Sequence, residues 1–151
     1  MITVGLEKYI NQLYENRLMK NEEEISLFED ALSVLSDSAT MEDIPKLCSA
    51  LDDNTHESSA MFGLVHLIER FCGEKAIELT IYSVLSIMDC AYGWAMTITK
   101  RILNSYADRA HYKKVFSKLD DNAKNAVVKI LVSVRDDNPG KFTRKVNEII
   151  Q

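Results

Sequence analysis

The chain has 151 residues, five glycines, two prolines and a formal net charge of −5 at pH 7. This length suits one domain of residues 1–151, and scarce turn residues with little β-branched alternation argue against hairpins and favour helix. The apolar runs are shorter than the roughly 20 residues that span a bilayer, and the first eight residues lack an export signal's features. We therefore expect neither membrane insertion nor export.

The predicted elements are about nine helices, read from apolar spacing and capping residues. They cover residues 6–19, 22–35, 41–51, 60–71, 74–88, 92–103, 108–119, 121–135 and 139–150. The predicted starts are Asn21, Thr40 or Asp43, Asp108, Asp120 or Asp121, and Asn138-Pro139. Gly73 is predicted to close the fourth helix as the residue after its C-cap.

The helix at residues 60–71 is apolar at nearly every position apart from Glu69 and Arg70. Its stripe of Met61, Leu64, Val65 and Ile68 is widened by Phe62, Leu67 and Phe71. A helix wetted along one side would not have this pattern. We expect it to lie centrally, with neighbours on several sides.

A short pattern, apolar-x-Ser-x-Leu, occurs at residues 47–51, 81–85 and 115–119, so that its copies begin 34 residues apart. A period of this size with two helices per unit is typical of α-solenoids. The pattern favours an all-α fold of stacked antiparallel helix pairs of the HEAT-like solenoid type. An irregular helical bundle is the alternative.

The charge is divided unevenly along the chain. Residues 1–75 carry 15 Asp and Glu against 6 Lys and Arg, whereas residues 76–151 carry 8 against 12. Solvated helix faces of different composition would explain this difference. An acidic first half that meets a basic partner would explain it as well, because complementary charge steers association.

No arrangement of residues indicates catalysis, and we expect no enzyme activity, no cofactor and no metal. The nearest candidate is His66 with Glu69, which share a helix face, but a metal site of that kind needs further ligands from facing helices. A core or edge histidine is the favoured interpretation. The three cysteines are widely spaced without a C-x-x-C motif, and we interpret them as buried thiols in a reducing cytosol.

Basic residues near Tyr112 and Phe116 raise the question of nucleic acid. They are Arg109, Lys113, Lys114, Lys118, Lys124 and Lys129. A basic face with aromatic rings can bind phosphates and stack bases. However, Phe116 falls in an apolar position of the repeat and the overall charge is negative, so a solvated face is favoured and no nucleic-acid partner is expected.

A protein-binding surface is the remaining candidate site. In stacked helix pairs the turns line an exposed surface that can vary without disturbing the core. The carboxylates and large aromatic residues near these turns are Asp52, Asp53, Glu57, Asp89, Tyr82, Tyr92 and Trp94. Tyr and Trp often anchor protein interfaces. The alternative is structural, with Trp94 in the core and the aspartates as helix caps.

Several of these segments resemble a known family. They are Asp52-Asp-Asn-Thr55, Met61-Phe-Gly-Leu-Val-His-Leu-Ile-Glu69, Trp94-Ala95 and Arg101-Ile-Leu-Asn104. Over roughly residues 40–135 the chain is similar to the all-α immunity proteins of bacterial polymorphic toxin systems, the immunity protein thirty family. The resemblance assigns no functional residue, because the surface that meets the toxin varies among such proteins.

The resemblance implies a cytosolic antitoxin. Such a protein binds the C-terminal effector domain of a secreted or contact-delivered toxin, often a basic nuclease, and blocks it. The alternative is a helical-repeat scaffold or adaptor that joins other proteins and inhibits nothing. The sequence does not predict the oligomeric state.

Overall fold

The computed structural model describes residues 2–151, with side chains described from residue 5 onward. Within this part it contains nine α-helices, one 3₁₀ turn and no strand, so the predicted all-α class is confirmed. None of the described helices has the length and apolar content needed to cross a membrane. The 3₁₀ turn is Met41–Asp43, and the helices are α1 (Ile2–Glu15), α2 (Glu22–Ser38), α3 (Ile44–Cys48), α4 (Ser58–Glu69), α5 (Glu74–Ser86), α6 (Tyr92–Asn104), α7 (Tyr106–Lys118), α8 (Asp121–Asp137) and α9 (Pro139–Ile150).

Local caps start two of the longest helices where the sequence predicts them. At the start of α2, Asn21 Oδ1 accepts a hydrogen bond from the Glu24 amide at 2.9 Å. At the start of α8, Asp120 Oδ1 accepts one from the Ala123 amide at 2.8 Å. Each cap satisfies an amide that the helix itself leaves without a partner. Both predicted caps are confirmed.

Two other predicted helix ends are wrong. Ser105 caps α7, because its hydroxyl oxygen accepts the Asp108 amide at 3.2 Å, and Asp108 lies inside the first turn. Gly73 stands at the N-cap of α5 with φ of 99°, whereas α4 already ends at Glu69. A side chain at this φ would be strained, so the glycine serves the start of α5.

The first helix also ends earlier than the sequence predicts. α1 stops at Glu15, whereas the apolar spacing continues to Met19. Met19 has a left-handed φ of 46° and is 1% exposed. A residue at positive φ cannot continue a right-handed helix, and here the bend turns an apolar side chain into the core.

Helices two apart in the chain pack side by side. α3 contacts α5, α5 contacts α7 and α7 contacts α9; likewise α2 contacts α4 and α6 contacts α8. α4 also contacts α3, and its buried residues are Ala60, Met61, Leu64, Val65, Leu67 and Ile68. The predicted stripe of α4 is therefore buried, and α4 contacts both α2 and α3, whereas its central position with neighbours on several sides stays a prediction.

The three copies of the apolar-x-Ser-x-Leu pattern lie at α3, α5 and α7, which pack on one another in that order. Their first residues, Leu47, Ile81 and Val115, are all buried. Their serine hydroxyls each donate to a carbonyl three or four residues earlier, at 2.6–2.7 Å: Ser49, Ser83 and Ser117. The buried first residue and the serine hydrogen bond therefore recur in all three copies, although Ser83 is buried whereas Ser49 and Ser117 are exposed.

The cysteines do not all behave as predicted. Cys48 is buried in α3, but Cys72 and Cys90 are exposed, and all three are free thiols. The prediction of buried thiols is therefore wrong for two of them. Both exposed cysteines lie in turns, between α4 and α5 and between α5 and α6, where the core does not cover them.

Candidate partner-binding edge

Three turns meet at one edge of the molecule. The middle turn bonds to both of the others: the His56 amide donates to the Leu18 carbonyl at 2.8 Å, and the Asp53 amide donates to the Cys90 carbonyl at 2.9 Å. Together the three form what we name the turn edge, which comprises residues 16–21, 49–57 and 87–91. The turn edge contains four of the seven residues predicted to bind a partner.

Asp52 is buried within this edge, with 4% of its surface exposed. Its carboxylate accepts a hydrogen bond from Arg17 Nε at 3.1 Å and another from the Asn54 amide at 2.8 Å. These contacts satisfy the buried charge, which would otherwise be costly. Asp52 therefore stabilises the turn from within, and its carboxylate does not lie on the surface that a partner would meet.

Asp53 caps a helix that is distant in sequence. Its carboxylate accepts hydrogen bonds from the amides of Gly93, at 2.7 Å, and Trp94, at 3.2 Å. These are two of the unpaired amides in the first turn of α6, whose own N-cap residue, Ala91, has no side chain able to accept them. A Cβ on Gly93 would lie 3.1 Å from the nearer carboxylate oxygen, so glycine permits this close approach.

Trp94 belongs to the core, as the structural alternative predicted, since only 8% of its surface is exposed. Its Nε1 donates to the Asp52 carbonyl at 3.1 Å. Its ring meets Phe62 edge to face, with 5.0 Å between the ring centroids. The indole thus fastens the middle turn to α4 and α6, and it is not available as an exposed anchor.

Tyr92 and Asp89 lie on the surface, close in the chain or in space to the buried Asp52 and Trp94. Tyr92 is 46% exposed and lines a groove of about 470 Å³. The other residues of this groove, which we name the Tyr92 groove, are Leu85, Met88, Asn122, Asn125, Ala126, Lys129, Ile130 and Ser133. Asp89 is exposed in the turn between Met88 and Tyr92. An aromatic side chain at the mouth of a mainly apolar groove is suited to contact a protein partner.

The other two predicted residues lie at either side. Glu57 is partly exposed at the N-cap of α4, at the end of the middle turn. Tyr82 is 46% exposed on α5 and lines a separate groove of about 190 Å³ with Val115 of α7 and with Leu119, which follows α7. In the predicted set, Asp52 and Trp94 are buried and hold the turns, Asp53 is exposed but also caps α6, and the other four residues have exposed or partly exposed side chains.

Tyr14 is an exposed residue of this region that the sequence interpretation missed. It lies on α1, one residue before the end of that helix, and is 44% exposed. The guanidinium of Arg17 lies 4.0 Å from the centre of its ring, and Arg17 also binds the Asp52 carboxylate. The sequence spacing of three residues between Tyr14 and Arg17 could have predicted this stacking, because residues three apart lie on the same side of a helix.

The sequence also raised two other candidate sites, a metal site at His66 and Glu69 and a nucleic-acid site near Tyr112 and Phe116. His66 is exposed, and Glu69 accepts two hydrogen bonds from Arg101. Within residues 5–151 no three His, Cys, Asp or Glu side chains are grouped so that they could hold a metal. In the basic cluster the aromatic rings of Tyr112 and Phe116 are buried, so neither offers a face on which a base could stack.

The comparison with known proteins adds the family. The chain matches the family model described as Immunity protein 30 over residues 15–112, whereas no curated protein and no solved structure matches it. The match includes α2, which the resemblance in the sequence left out, and it ends before α8. All of the turn edge falls within it. Because the matched residues make up well over half of its length, the chain belongs to the Immunity protein 30 family.

Proposed function

We propose that this immunity protein neutralises a toxin effector domain by binding it through the turn edge and the Tyr92 groove. Membership of the family indicates an immunity protein, which acts by binding its cognate toxin and has no need of catalysis. The proposal adds the surface and its anchors. The proposed contact residues are Glu57, Tyr82, Asp89 and Tyr92.

The position of Tyr92 is the observation that carries this proposal. Tyr92 is the first residue of α6, and the next two amides of that helix are bound by Asp53. Its backbone is therefore fixed before a partner arrives, which lowers the entropic cost of binding. The adjoining groove offers a mainly apolar surface, with two asparagines, a serine and a lysine at its polar positions. Rigid aromatic anchors beside such pockets dominate many interfaces.

Charge suggests the chemistry of the toxin. The first half of the chain is strongly acidic, and the turn edge carries the partly exposed carboxylate of Glu57 and the exposed carboxylate of Asp89. We propose a basic effector domain, such as a nuclease, that is steered to this edge by its opposite charge and is blocked there. Association should then slow as salt is raised.

The proposed architecture is a single domain of stacked, HEAT-like helix pairs. Two observations support it: the 34-residue spacing of the serine pattern, and the packing of α3, α5, α7 and α9 in chain order. We further propose that the protein works in the cytoplasm. A reducing compartment suits a chain with two exposed free cysteines, Cys72 and Cys90.

The test is to express the toxin domain encoded beside this chain together with the chain, and to measure growth rescue and affinity. Tyr92→Ala should weaken binding by about thirtyfold, the loss typical of a buried aromatic anchor. Tyr106→Ala is the matched control, since Tyr106 is 81% exposed and begins α7, beyond the end of α6 that is opposite Tyr92, and it should change affinity by less than about twofold.

Two outcomes would contradict the proposal in different ways. If the wild-type chain neither binds the domain nor rescues growth, that domain is not its toxin target. If Tyr106→Ala weakens binding as much as Tyr92→Ala, neutralisation stands but the proposed surface is wrong. Unfolding curves of both variants should be recorded so that a loss of binding can be separated from a loss of folding.

A further inference from the structure

A second groove lies at the other end of α6, between α7 and α9. It has a volume of about 630 Å³ and we name it the basic groove. Its charged lining residues are Arg109, Lys141, Arg144, Lys145 and Glu148. Four cations thus face one carboxylate in a single concave surface. Such a surface concentrates positive potential, because the low-dielectric walls focus the field of the charges that line it.

Two of the four cations are held in place by neighbouring helices. Arg109 Nη1 donates to the Leu103 carbonyl at 2.6 Å, and Arg109 Nε donates to Glu148 at 3.4 Å. Lys145 Nζ donates to Asn104 Oδ1 at 2.8 Å. The single carboxylate of the groove is therefore already occupied, and the positions of these two charges are fixed by α6 and α9.

The other two cations have no such partner. Lys141 and Arg144 are exposed on α9, and neither forms an ion pair with any residue of the described part of the chain. By contrast, the exposed lysines 114 and 118 of α7 both bind Glu74. The basic groove consequently presents two free positive charges beside two fixed ones.

We infer that the basic groove binds an acidic polypeptide segment of a partner protein. Its net charge favours carboxylates, and arginine together with lysine can bind several of them at once. A nucleic acid is the less favoured occupant. The chain as a whole carries −5, which repels a long polyanion more than a short acidic segment. Among the described residues a single exposed ring, that of Tyr106, contacts Arg109, so a strand would have one place there to stack a base.

This inference goes beyond the proposed function, because it concerns a different surface. α6 has 13 residues and separates the two sites by about 20 Å: Tyr92 begins it, and Asn104, which binds Lys145, ends it. The α9 wall of the basic groove also lies outside the residues matched by the family. A chain with an acidic edge and a basic groove can therefore bind an acidic segment at a surface separate from the proposed toxin site.

Binding of a labelled oligoglutamate peptide of about eight residues to the full chain tests the inference. Fluorescence anisotropy at low salt should show binding, and Lys141→Glu with Arg144→Glu should weaken it by about tenfold. Lys8→Glu with Lys75→Glu is the matched control. It makes the same charge change at two exposed lysines that lie outside the basic groove and outside the proposed toxin-binding surface, and it should alter affinity by less than about twofold.

Binding of a deoxythymidine oligonucleotide of the same length should be measured in the same way, to compare nucleic acid with the acidic peptide. Tighter binding of the oligonucleotide than of the peptide would overturn the inference in favour of nucleic acid. The absence of peptide binding, or equal weakening by the groove and control variants, would also overturn it. Lys141→Gln with Arg144→Gln, which removes the charges without reversing them, covers the case in which the glutamate variant unfolds. None of these outcomes depends on whether the toxin binds the turn edge.

Discussion

Adjacent carboxylates at Asp52 and Asp53 bind different parts of the chain. Asp52 binds Arg17 in the turn that follows α1, and Asp53 binds the first amides of α6. Two neighbouring residues thus hold one turn to two others that are distant in sequence. The turn edge is therefore built by polar contacts as well as by apolar packing, which makes it rigid enough to present fixed anchors to a partner.

The three cysteine thiols should differ in their rates of alkylation. Burial raises the pKa of the Cys48 thiol to about 12, although a hydrogen bond with Ser83 opposes part of this effect. Because the thiolate is the reactive form, Cys48 should resist alkylation in the folded protein at about pH 8, whereas exposed Cys72 and Cys90 react.

Intact mass measured after brief treatment with iodoacetamide checks this prediction. The native protein should gain two adducts, and a third should appear only in denaturant. Three adducts formed at equal rates in the native protein would show that the α3 region opens readily. Cys48→Ala should remove the slow adduct and leave the fast ones.

The elements differ in how far the sequence determines them. The caps of α2 and α8 lie beside the amides they bind, so local sequence was enough to predict Asn21 and to narrow the start of α8 to Asp120 or Asp121. The cap of α6 comes from Asp53, forty residues before the amide of Gly93, and only the folded chain brings them together. The exposure of Cys72 and Cys90 likewise depends on which turns the core covers.

The candidate site could be predicted only in part, because some of its contacts join residues that are distant in sequence. The turns and their acidic and aromatic residues could be located from helix spacing. However, spacing does not distinguish an aspartate that faces solvent from one that accepts amides of a neighbouring turn. Trp94 lies near a helix start, where the sequence was compatible with either a buried or an exposed side chain. In the structure it is buried, and its Nε1 donates to the Asp52 carbonyl.

At the element scale, Asp53→Ala should destabilise the protein by about 1 kcal/mol, the usual effect of losing an N-cap side chain. The substitution removes the acceptor for two amides at the start of α6. Asp89→Ala is the control: it removes an exposed carboxylate from the adjacent turn and should change the free energy of unfolding by less than about 0.5 kcal/mol. Urea denaturation of both variants measures the difference, and equal losses would show that the cap contributes nothing.

Several ion pairs of the molecule join helices that are two apart in the chain. Lys46 of α3 binds Glu7 of α1, Lys118 of α7 binds Glu74 of α5, and Lys100 of α6 binds Asp137 of α8. Each pair joins helices two apart in the chain. Single exposed pairs contribute little to stability, but such a series lies across the successive helix contacts of the molecule.

Glu74→Gln should weaken the acid dependence of stability. The hydrogen bond from Lys118, at 2.8 Å, lowers the pKa of the Glu74 carboxyl below its ordinary value of 4.5. The unfolded chain then takes up this proton at higher pH than the folded chain, so the pair stabilises fully above about pH 4.5 and is lost as pH falls through the lowered pKa. Free energies of unfolding between about pH 6 and pH 3 should fall less in Glu74→Gln than in wild type, and Lys118→Gln should resemble Glu74→Gln. A wild-type slope in both variants would show that this contact between α5 and α7 has no share in the acid response.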